Sequence, residues 1–400
     1  MKKLVLPNGM NIILEKTKSN SITLGVCVKT GSNNEDDSVR GISHFLEHMI
    51  FEGTKNRTVQ EIVNEIEGVG GEFNAFTDHE ITFFYARVLS KFFNRVLDVI
   101  SDILKNSTFD EKAIEKERKV VLEEINLRYD DPKAYQWLLF EKTLYKNHPT
   151  KYPVIGTKES LEKIKRKEIV GYFEKYYTPN NMFVIVTGNF NSNTENKLKK
   201  EFVTLKPKKI ENKNIIEEFT QDISEQVKEK KEISHSYLII GFKTVNKTHE
   251  DSYALELICA ILGFGQCSRI YNEIRIKRGL SYDAGINIDL NKTFGYIAAY
   301  ASTENKNVDL CRSIILKEFK LENLTDKEIE DAKNIIEGNF LLRNEDTREL
   351  AFTLGRFQFF NDAKDFKNYI KNIRKITKND ILRVSKRYFT GKYTEVLLYN

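Results

Sequence analysis

One part of this chain occurs twice, in altered form, at a separation of 212–215 residues. The stretch FDEKAIEKERKVVLEEINLRYDD, from Phe109, aligns with LTDKEIEDAKNIIEGNFLLRNED, from Leu324. A second match joins EIVGYFEKYYT, from Glu168, to DILRVSKRYFT, from Asp380, and a weaker third match near residues 81 and 293 keeps the same order. Chance similarity between helices would not preserve order and spacing over three matches, so the pattern predicts a duplicated fold.

The order of patterns within each copy predicts the fold class. Strand-like runs come first, followed by a helix, more strands, two or three long helices and a closing strand. Because runs of strands are separated from runs of helices, we expect an α+β fold with helices packed on one face of a mostly antiparallel sheet. A chain of 400 residues suits two such domains. We predict an N-terminal domain over 1–206, a polar, lysine-rich linker over 207–231 and a homologous C-terminal domain over 232–400.

Composition argues against several classes of protein. No run of about 18 apolar residues exists, so no segment is expected to span a membrane. The net charge of +5 is the small difference between 63 basic and 58 acidic residues, so nucleic acid is not an expected partner.

The cysteines and the N-terminal segment suggest a compartment. Cys27, Cys259, Cys267 and Cys311 show no metal-ligand or redox spacing, so we expect free thiols in a reducing environment. Residues 1–16 lack a leader pattern. We therefore expect a prokaryotic cytoplasmic protein or, alternatively, an organellar matrix protein whose presequence has been removed.

The strongest local motif is the pentapeptide HFLEH, which contains His44, Glu47 and His48. Apolar residues at helical spacing predict that it lies in a helix, which residues 36–38 (Asp-Asp-Ser) would cap and Gly53 would end. On such a helix the two histidines and Glu47 lie within about 100° of one another, roughly opposite the apolar stripe.

The spacing of the two histidines suits a metal site. Two imidazoles one helical turn apart can bind one metal ion, and a carboxylate beside them can hold a water molecule on it. The order of residues is the reverse of the commoner H-E-x-x-H and corresponds to the inverted zincin motif. The motif supplies only two ligands, whereas a catalytic zinc site needs a third from the protein. The alternative is therefore a pair of histidines on a solvated helix face.

The third ligand is expected on a predicted helix from about Asp110 to Arg128. The apolar direction of this helix is set by Ala113, Ile114, Val120, Val121, Leu122, Ile125 and Leu127. Glu117 and Glu124 lie within roughly 40° of that direction, whereas Glu123 points about 140° away. Glutamate is rarely buried without a partner, which suggests that one of these carboxylates ligates a metal and the other supports it. An inter-helix salt bridge or a slightly rotated helix remains the alternative.

The second copy of the repeat lacks these groups. Ala332 stands where the first copy has Glu117, and Asn339 stands where it has Glu124. No H-x-x-E-H occurs there either, although the helical frame persists. The carboxylates are therefore not required for folding, and metal chemistry is expected in the first copy alone.

These motifs resemble those of the pitrilysin-type inverted zinc metallopeptidases, or inverzincins. The similarity is closest to the branch that holds the mitochondrial processing peptidase β-subunit and its bacterial and archaeal relatives. It covers nearly the whole chain, including the H-x-x-E-H motif and a glutamate, Glu124, that follows His48 by 76 residues. It also includes Leu-Pro-Asn-Gly at 6–9, the tracts 41–54, 70–77 and 117–124, Ser-Arg at 268–269 and the segment 275–282.

The resemblance implies a metal site and a mechanism. One Zn²⁺ per chain would be bound by His44, His48 and Glu124, with Glu47 as general base and Glu117 orienting a ligand. Zinc lowers the pKa of its water to about 7, so Glu47 could take the proton and pass it to the leaving amine. The implied activity is that of a zinc-dependent endopeptidase that hydrolyses short or unfolded peptides, with presequence-like peptides among the candidates, in a closed chamber. The implied architecture is a clamshell of two domains around a peptide cleft.

The resemblance also assigns contacts with the substrate. Arg275 and Tyr282 match an Arg–Tyr pair that reaches the peptide across the cleft, where a guanidinium and a phenol can stabilise an oxyanion. Arg278 is the alternative arginine. On the residues alone, this segment is a basic helix end that enters a strand.

A second substrate-binding segment is implied at Asn74, Ala75 and Phe76. In the resembling enzymes this is an edge strand to which an extended peptide adds through backbone hydrogen bonds. On the residues alone, an ordinary core strand is the simpler interpretation.

The implied partners are a peptide substrate and a second copy of the chain, with a heterodimer as the alternative. The segment LGFG at 262–265 is shorter and less glycine-rich than the flexible loop of the processing peptidase's noncatalytic subunit, which argues against a heterodimer of that kind.

A catalytically silent scaffold of the same fold is the alternative function. Such scaffolds have typically lost part of the zinc set, whereas this chain retains every implied residue. A purely structural zinc protein would need four closed ligands.

Overall fold

Two separate β-sheets organise the described residues, 1–210, 213–221 and 223–400, of the computed structural model. The first sheet consists of β1 (Lys2–Val5), β2 (Asn11–Lys16), β3 (Ser21–Val28), β4 (Glu72–Thr77), β5 (Thr82–Leu89) and β6 (Met182–Gly188). The second sheet consists of β7 (Glu225–Lys230), β8 (Ser236–Lys243), β9 (Asp283–Leu290), β10 (Gly295–Thr303) and β11 (Thr394–Tyr399).

The helices fall into two successive groups along the chain. The first group is α1 (Ile42–Met49), α2 (Val59–Glu67), α3 (Phe93–Asn106), α4 (Glu111–Asp130), α5 (Pro132–Leu144), α6 (Lys158–Leu161), α7 (Arg166–Tyr176) and α8 (Ser192–Phe202). The second group is α9 (Ser252–Gly263), α10 (Arg269–Tyr271), α11 (Val308–Glu318), α12 (Asp326–Arg343), α13 (Thr347–Phe360), α14 (Tyr369–Lys375) and α15 (Lys378–Tyr388). Within the described ranges, the structure contains no helix that is both long and apolar enough to cross a membrane.

The two sheets have the same strand order, which confirms the predicted duplication. The first runs β1-β2-β6-β3-β5-β4 and the second β7-β11-β8-β10-β9, so the five shared positions correspond one to one. In each sheet one pair is parallel, β2 with β6 and β7 with β11, and the other pairs are antiparallel. Strands β4 and β9 lie at the corresponding edges of the two sheets, where β4 pairs with β5 and β9 pairs with β10. The predicted α+β class with mostly antiparallel sheets is therefore confirmed.

The chain divides into two compact units that each draw on both halves of the sequence. Unit 1 contains Met1–Asn126, Pro153–Asn214 and Leu342–Phe366, and unit 2 contains Leu127–Tyr152, Ile215–Leu341 and Lys367–Asn400. Helix α13 thus belongs with the first sheet and helix α5 with the second. Both exchanged helices start after a capping aspartate, Asp131 before α5 and Asp346 before α13, which occupy matching positions in the repeat.

The core of unit 1 lies on both faces of its sheet. The larger part packs α1, α3, α4 and α7 against side chains such as Leu24, Val26 and Val184. The opposite face presents Phe83 and Ile185, among others, to Leu350 and Leu354 of α13. Helices on one face were the expectation from the sequence, and the exchanged helix adds cover to the other.

Unit 2 repeats this arrangement. Its larger core packs α9, α11, α12 and α15 against one face of the second sheet. On the opposite face Phe140 and Tyr145, from α5 and the residue after it, contact Ile239, Tyr296 and Val396. The central strands β3, β6, β8 and β10 are therefore buried on both sides, which is consistent with their largely apolar sequences.

The predicted linker 207–231 includes an ordered strand. Its residues 225–230 form β7, which pairs in parallel with β11. Glu218 accepts hydrogen bonds from the backbone N–H groups of residues 146–148 and forms an ion pair with Lys243. Linker residues 211, 212 and 222 lie outside the described part of the chain.

Candidate metal centre

Helix α1 is fixed by the apolar stripe that the sequence predicts. Ile42, Phe45, Leu46, Met49 and Ile50 are each at most 1% exposed and belong to the core of unit 1. The helix therefore has a single orientation on the sheet, because rotating it would expose this stripe to water. That orientation leaves the opposite side, with the two histidines, facing α4.

The N-terminus of α1 is capped by Glu35. This carboxylate is fully buried, and its two oxygens accept hydrogen bonds of 2.8 Å from the backbone N–H groups of Gly41 and Ser43. Burial raises the pKa of Glu35 to about 7, against the lowering effect of these hydrogen bonds. The sequence suggests Asp36, Asp37 and Ser38 for capping, and that interpretation is wrong, because Glu35 fills the position in front of the free N–H groups.

Helix α4 presents a buried line that contains two charged groups. Its buried residues are Ile114, Glu117, Arg118, Val121 and Ile125. Glu124 is half-buried on the same side, whereas Glu123 is exposed, as the helical phase predicts.

Two residues of α4 depart from the predicted apolar direction. Val120 is 47% exposed and Leu127 is 68% exposed. The buried positions of α4 are 114, 117, 118, 121 and 125. At about 100° per residue, positions 120 and 127 point to the other side of the helix.

His44, His48 and Glu124 come together between α1 and α4. His44 Nε2 and His48 Nε2 each lie 3.7 Å from Glu124 Oε2. One ligand atom from each of the three residues lies within 4.8 Å of the others. His44 is 8% exposed, and the other two side chains are half-buried.

This donor set fits a zinc ion. Nitrogen and oxygen ligands bind zinc at about 2.0–2.2 Å, which places tetrahedral ligands roughly 3.3–3.6 Å apart. The nitrogen-to-oxygen separations of 3.7 Å are close to that range. Two imidazoles and one carboxylate form a ligand set used by catalytic zinc sites, which keep a fourth position open.

Glu47 lies beside the three residues and accepts a hydrogen bond. Thr77 Oγ1 donates to Glu47 Oε2 over 2.5 Å. Burial raises the pKa of Glu47, while the Thr77 hydrogen bond and nearby His48 act in the opposite direction. A raised carboxyl pKa suits a group that must both accept and return a proton near neutral pH.

Glu117 contacts His48 from the side opposite Glu124. Its Oε2 lies 3.4 Å from His48 Nδ1, and its Oε1 lies 3.3 Å from Lys116 Nζ. Burial lowers the pKa of His48, but Glu124, Glu47 and Glu117 together raise it above its usual value. A carboxylate on Nδ1 orients the ring and leaves Nε2 directed toward Glu124, as metal-binding histidines require.

Asn74, Ala75 and Phe76 lie on β4, the edge strand of the first sheet. Ala75 packs against the core beneath α1, and Asn74 is exposed. Phe76 points to the other face, where its ring lies 5.0 Å from that of Phe352 in α13. The backbone of these residues is at the open edge, but the Phe76 side chain faces away from the Glu47 side of the sheet.

Arg275 and Tyr282 lie in unit 2, at the end of a π-helical turn (Asn272–Ile276) and just before β9. The Arg275 guanidinium lies over the rings of Tyr271 and Tyr282, at 5.0 and 5.4 Å, and donates to the Tyr282 carbonyl. Tyr282 is 87% exposed. Arg278 instead donates to the carboxylate and carbonyl of Glu273.

Two polar residues next to the candidate centre were not selected from the sequence. Thr77 could have been found, because alternation along β4 places it on the same face as Phe73 and Ala75. Glu35 could not, because it lies in a short polar loop whose sequence gives no sign of burial.

Two family models match the chain. The first, "Insulinase (Peptidase family M16)", covers residues 11–158, and the second, "Peptidase M16 inactive domain", covers residues 163–336. The first match contains all three candidate ligands and Glu47, and the second begins after them.

The chain is also similar over its full length to curated bacterial proteins. An uncharacterized zinc protease of Bacillus subtilis is 31% identical over 403 residues, which span 100% of this chain and 98% of that protein. An uncharacterized zinc protease of Rickettsia bellii is 30% identical over 398 residues, covering 98% of this chain and 96% of the relative.

Solved structures show the same fold. A protease from Helicobacter pylori has a TM-score of 0.95 at 25% identity and covers 100% of this chain and 99% of its own. A peptidase M16 inactive domain structure from Pseudomonas fluorescens has a TM-score of 0.91 at 18% identity, with coverage of 100% and 97%. With matched family models and full-length relatives at this identity, the chain belongs to the M16 family of zinc peptidases, the insulinase-like, pitrilysin-type group.

Proposed function

We propose that this protein is a zinc-dependent endopeptidase. The observation that carries the proposal is the convergence of His44, His48 and Glu124 on one small volume, with the Glu47 carboxylate beside it. Relatives named as zinc proteases support the same general chemistry.

The chain's own residues would divide the work. His44, His48 and Glu124 would hold Zn²⁺, and Glu117 would keep the His48 ring in position through Nδ1. A zinc ion supplies Lewis acidity, which lowers the pKa of a water molecule to about 7. Glu47 would accept a proton from the attacking water at the oxygen that Thr77 leaves available, and would later return it to the leaving amine.

The substrate would be a short or unfolded peptide in extended conformation. Among the described residues, strand β4 has a hydrogen-bonded neighbour on one side only, so its other edge can pair with a peptide backbone. Ala75 and Asn74 would contribute backbone groups, whereas Phe76 would support the strand from the other face through Phe352. Backbone pairing of this kind requires little sequence specificity from the peptide.

Arg275 and Tyr282 would bind the peptide from unit 2. The phenol is 87% exposed and therefore accessible, and the adjacent guanidinium retains donors after its single hydrogen bond to the Tyr282 carbonyl. Arg278 is the weaker candidate, because Glu273 already occupies its guanidinium.

Metal analysis combined with peptide cleavage tests the proposal. Wild type and Glu47→Gln are purified in parallel, their zinc content is measured by inductively coupled plasma mass spectrometry, and both are assayed on short, internally quenched fluorescent peptides. We expect about one zinc ion per chain in both proteins and cleavage by the wild type alone, since Glu47 is not a ligand.

Each contrary result has a distinct meaning. Zinc-free wild type would exclude the proposed metal centre. An active Glu47→Gln variant would show that another group is the general base. Zinc in both proteins with cleavage by neither would favour the alternative, a catalytically silent scaffold of the same fold.

A further inference from the structure

Thr77 is the last residue of edge strand β4 and reaches the candidate general base. Its Oγ1 lies 2.5 Å from Glu47 Oε2. Ionised Glu47 has no proton to give, so the hydroxyl is the donor and the carboxylate is the acceptor. The Thr77 hydroxyl therefore faces this carboxylate as a hydrogen-bond donor.

The hydrogen bond restricts how Glu47 can act. The bond engages Oε2 and leaves Oε1 as the oxygen available to a water molecule. Without it, a glutamate on a helix could rotate among several staggered conformers, of which few would direct an oxygen toward the metal ligands. A charge-assisted hydrogen bond is about twice as strong as a neutral one, so the contact selects a single conformer.

Thr77 itself is held in place on several sides. It pairs with Thr82 of β5, and the next residue, Asp78, donates its N–H to the Ile81 carbonyl at 2.8 Å. The Asp78 carbonyl accepts a hydrogen bond of 3.2 Å from the Ser32 N–H. The preceding residue, Phe76, stacks on Phe83. The hydroxyl is therefore presented from a rigid part of the backbone.

We infer that Thr77 is a positioning residue that fixes Glu47 for proton transfer and joins it to the strand that receives the peptide. This inference rests on the proposed function, because it assumes that Glu47 is the base and β4 the peptide-binding edge. One residue then connects both parts of the site: its backbone ends the edge strand, and its side chain orients the base.

The alternative is that Thr77 has a purely structural role, in which its partly buried hydroxyl uses Glu47 only as a hydrogen-bond acceptor. The chain offers a matched control for that role in Thr23, on β3 of the same sheet. Thr23 is fully buried, and its Oγ1 donates to Thr347 Oγ1 at 2.9 Å, on the opposite face of the sheet from α1. Replacing either threonine by valine keeps the shape of the side chain and removes one hydrogen bond.

The experiment compares wild type, Thr77→Val, Thr77→Ser and Thr23→Val. For each protein we would measure zinc content, kcat and KM on short quenched fluorescent peptides, and thermal unfolding. We expect Thr77→Val to keep its zinc and KM but to lose about 10–100-fold in kcat, by analogy with the cost of removing a hydrogen bond that supports a metal ligand. Thr77→Ser should recover most of kcat, and Thr23→Val should change unfolding without changing kcat.

A crystal structure of metal-free Thr77→Val and Thr77→Ser provides a readout that does not depend on activity. We expect the Glu47 carboxylate to leave its position in the valine variant and to keep it in the serine variant. Wild-type kcat in Thr77→Val, no recovery in Thr77→Ser, or an unmoved Glu47 in the valine structure would overturn the inference. If wild type itself cleaves no peptide, the proposed function fails, and the crystal structures still decide whether Thr77 positions Glu47.

Discussion

At the scale of single residues, helical phase separates side chains that adjoin in sequence but differ in chemistry. Glu123 and Glu124 are neighbours, yet Glu124 Oε2 lies 3.7 Å from two imidazole nitrogens while Glu123 is exposed. Because successive residues on a helix differ by about 100°, the sequence is enough to distinguish them. Alternation along β4 indicates the face on which Thr77 lies, but its contact with Glu47 and the contacts of Glu35 depend on how loops and strands meet in three dimensions.

The two candidate arginines of unit 2 can be separated by substitution. Arg275 lies against the exposed Tyr282, whereas Arg278 is engaged by Glu273. We predict that Arg275→Met lowers kcat/KM for quenched fluorescent peptides about 10-fold or more, since it removes a donor that would face the peptide. Arg278→Met, with the same loss of charge, should retain most of the activity. Zinc content should be unchanged in both, and a larger loss in Arg278→Met would reverse the assignment.

At the scale of secondary-structure elements, the site depends on how α1 is held at its first turn. The apolar stripe that buries α1 can be read from the sequence. A stripe indicates that a helix is buried, but it does not specify which sheet covers it. The exchange of α5 and α13 between the two halves therefore could not be predicted.

The cap of α1 provides a test at this scale. Glu35→Gln keeps one acceptor oxygen but leaves one of the N–H groups of Gly41 and Ser43 without its partner. An unpaired buried N–H costs about 1–3 kcal/mol, and we predict a loss of that size in the free energy of unfolding. Because His44 lies in the same first turn, zinc affinity measured by chelator competition should fall as well.

Asp37→Asn is the matched control for Glu35→Gln. The Asp37 side chain is 79% exposed and pairs with Arg40, so the change should cost less than about 1 kcal/mol and leave zinc affinity as it was. Equal effects of the two substitutions would show that the polar residues after Glu35 contribute as much to the cap as Glu35 does.

At the scale of the whole molecule, a duplicated fold has a candidate metal site in one copy. The position of Glu117 is taken in the second copy by Ala332, which is 1% exposed, so that helix packs without a carboxylate. Asn339, at the position of Glu124, is exposed. The repeat in the sequence predicts both the matching strand orders and the location of the candidate metal site, because the copies share the residues of the core and differ in those of the candidate site.

Stability of the whole molecule is expected to depend on pH through Glu218. Burial alone would raise its pKa, but Lys243 and the backbone N–H groups of residues 146 and 147 hold it at about 2. A carboxyl whose folded-state pKa is depressed stabilises the fold above its ordinary value near 4.5, and this contribution is lost as the pH falls from 4.5 toward 2. We predict that Glu218→Gln costs about 3 kcal/mol at neutral pH, since Lys243 is left buried, and that the difference from wild type shrinks between pH 5 and pH 3.

Urea unfolding at several pH values measures this effect. Glu330→Gln serves as the control, because Glu330 is 61% exposed and its pair with Arg374 should contribute less than about 1 kcal/mol at any pH. A constant difference between wild type and Glu218→Gln across the acid range would contradict the proposed role of the ionised carboxylate.

The zinc content of Glu124→Gln and Glu123→Gln tests the central claim most directly. Both substitutions remove one negative charge from the same turn of α4, but only Glu124 faces His44 and His48. With the purified proteins dialysed against limiting zinc and measured by inductively coupled plasma mass spectrometry, we predict about one zinc ion per chain in wild type and Glu123→Gln and almost none in Glu124→Gln. Full zinc content in Glu124→Gln, or its loss in Glu123→Gln, would contradict the metal centre described above.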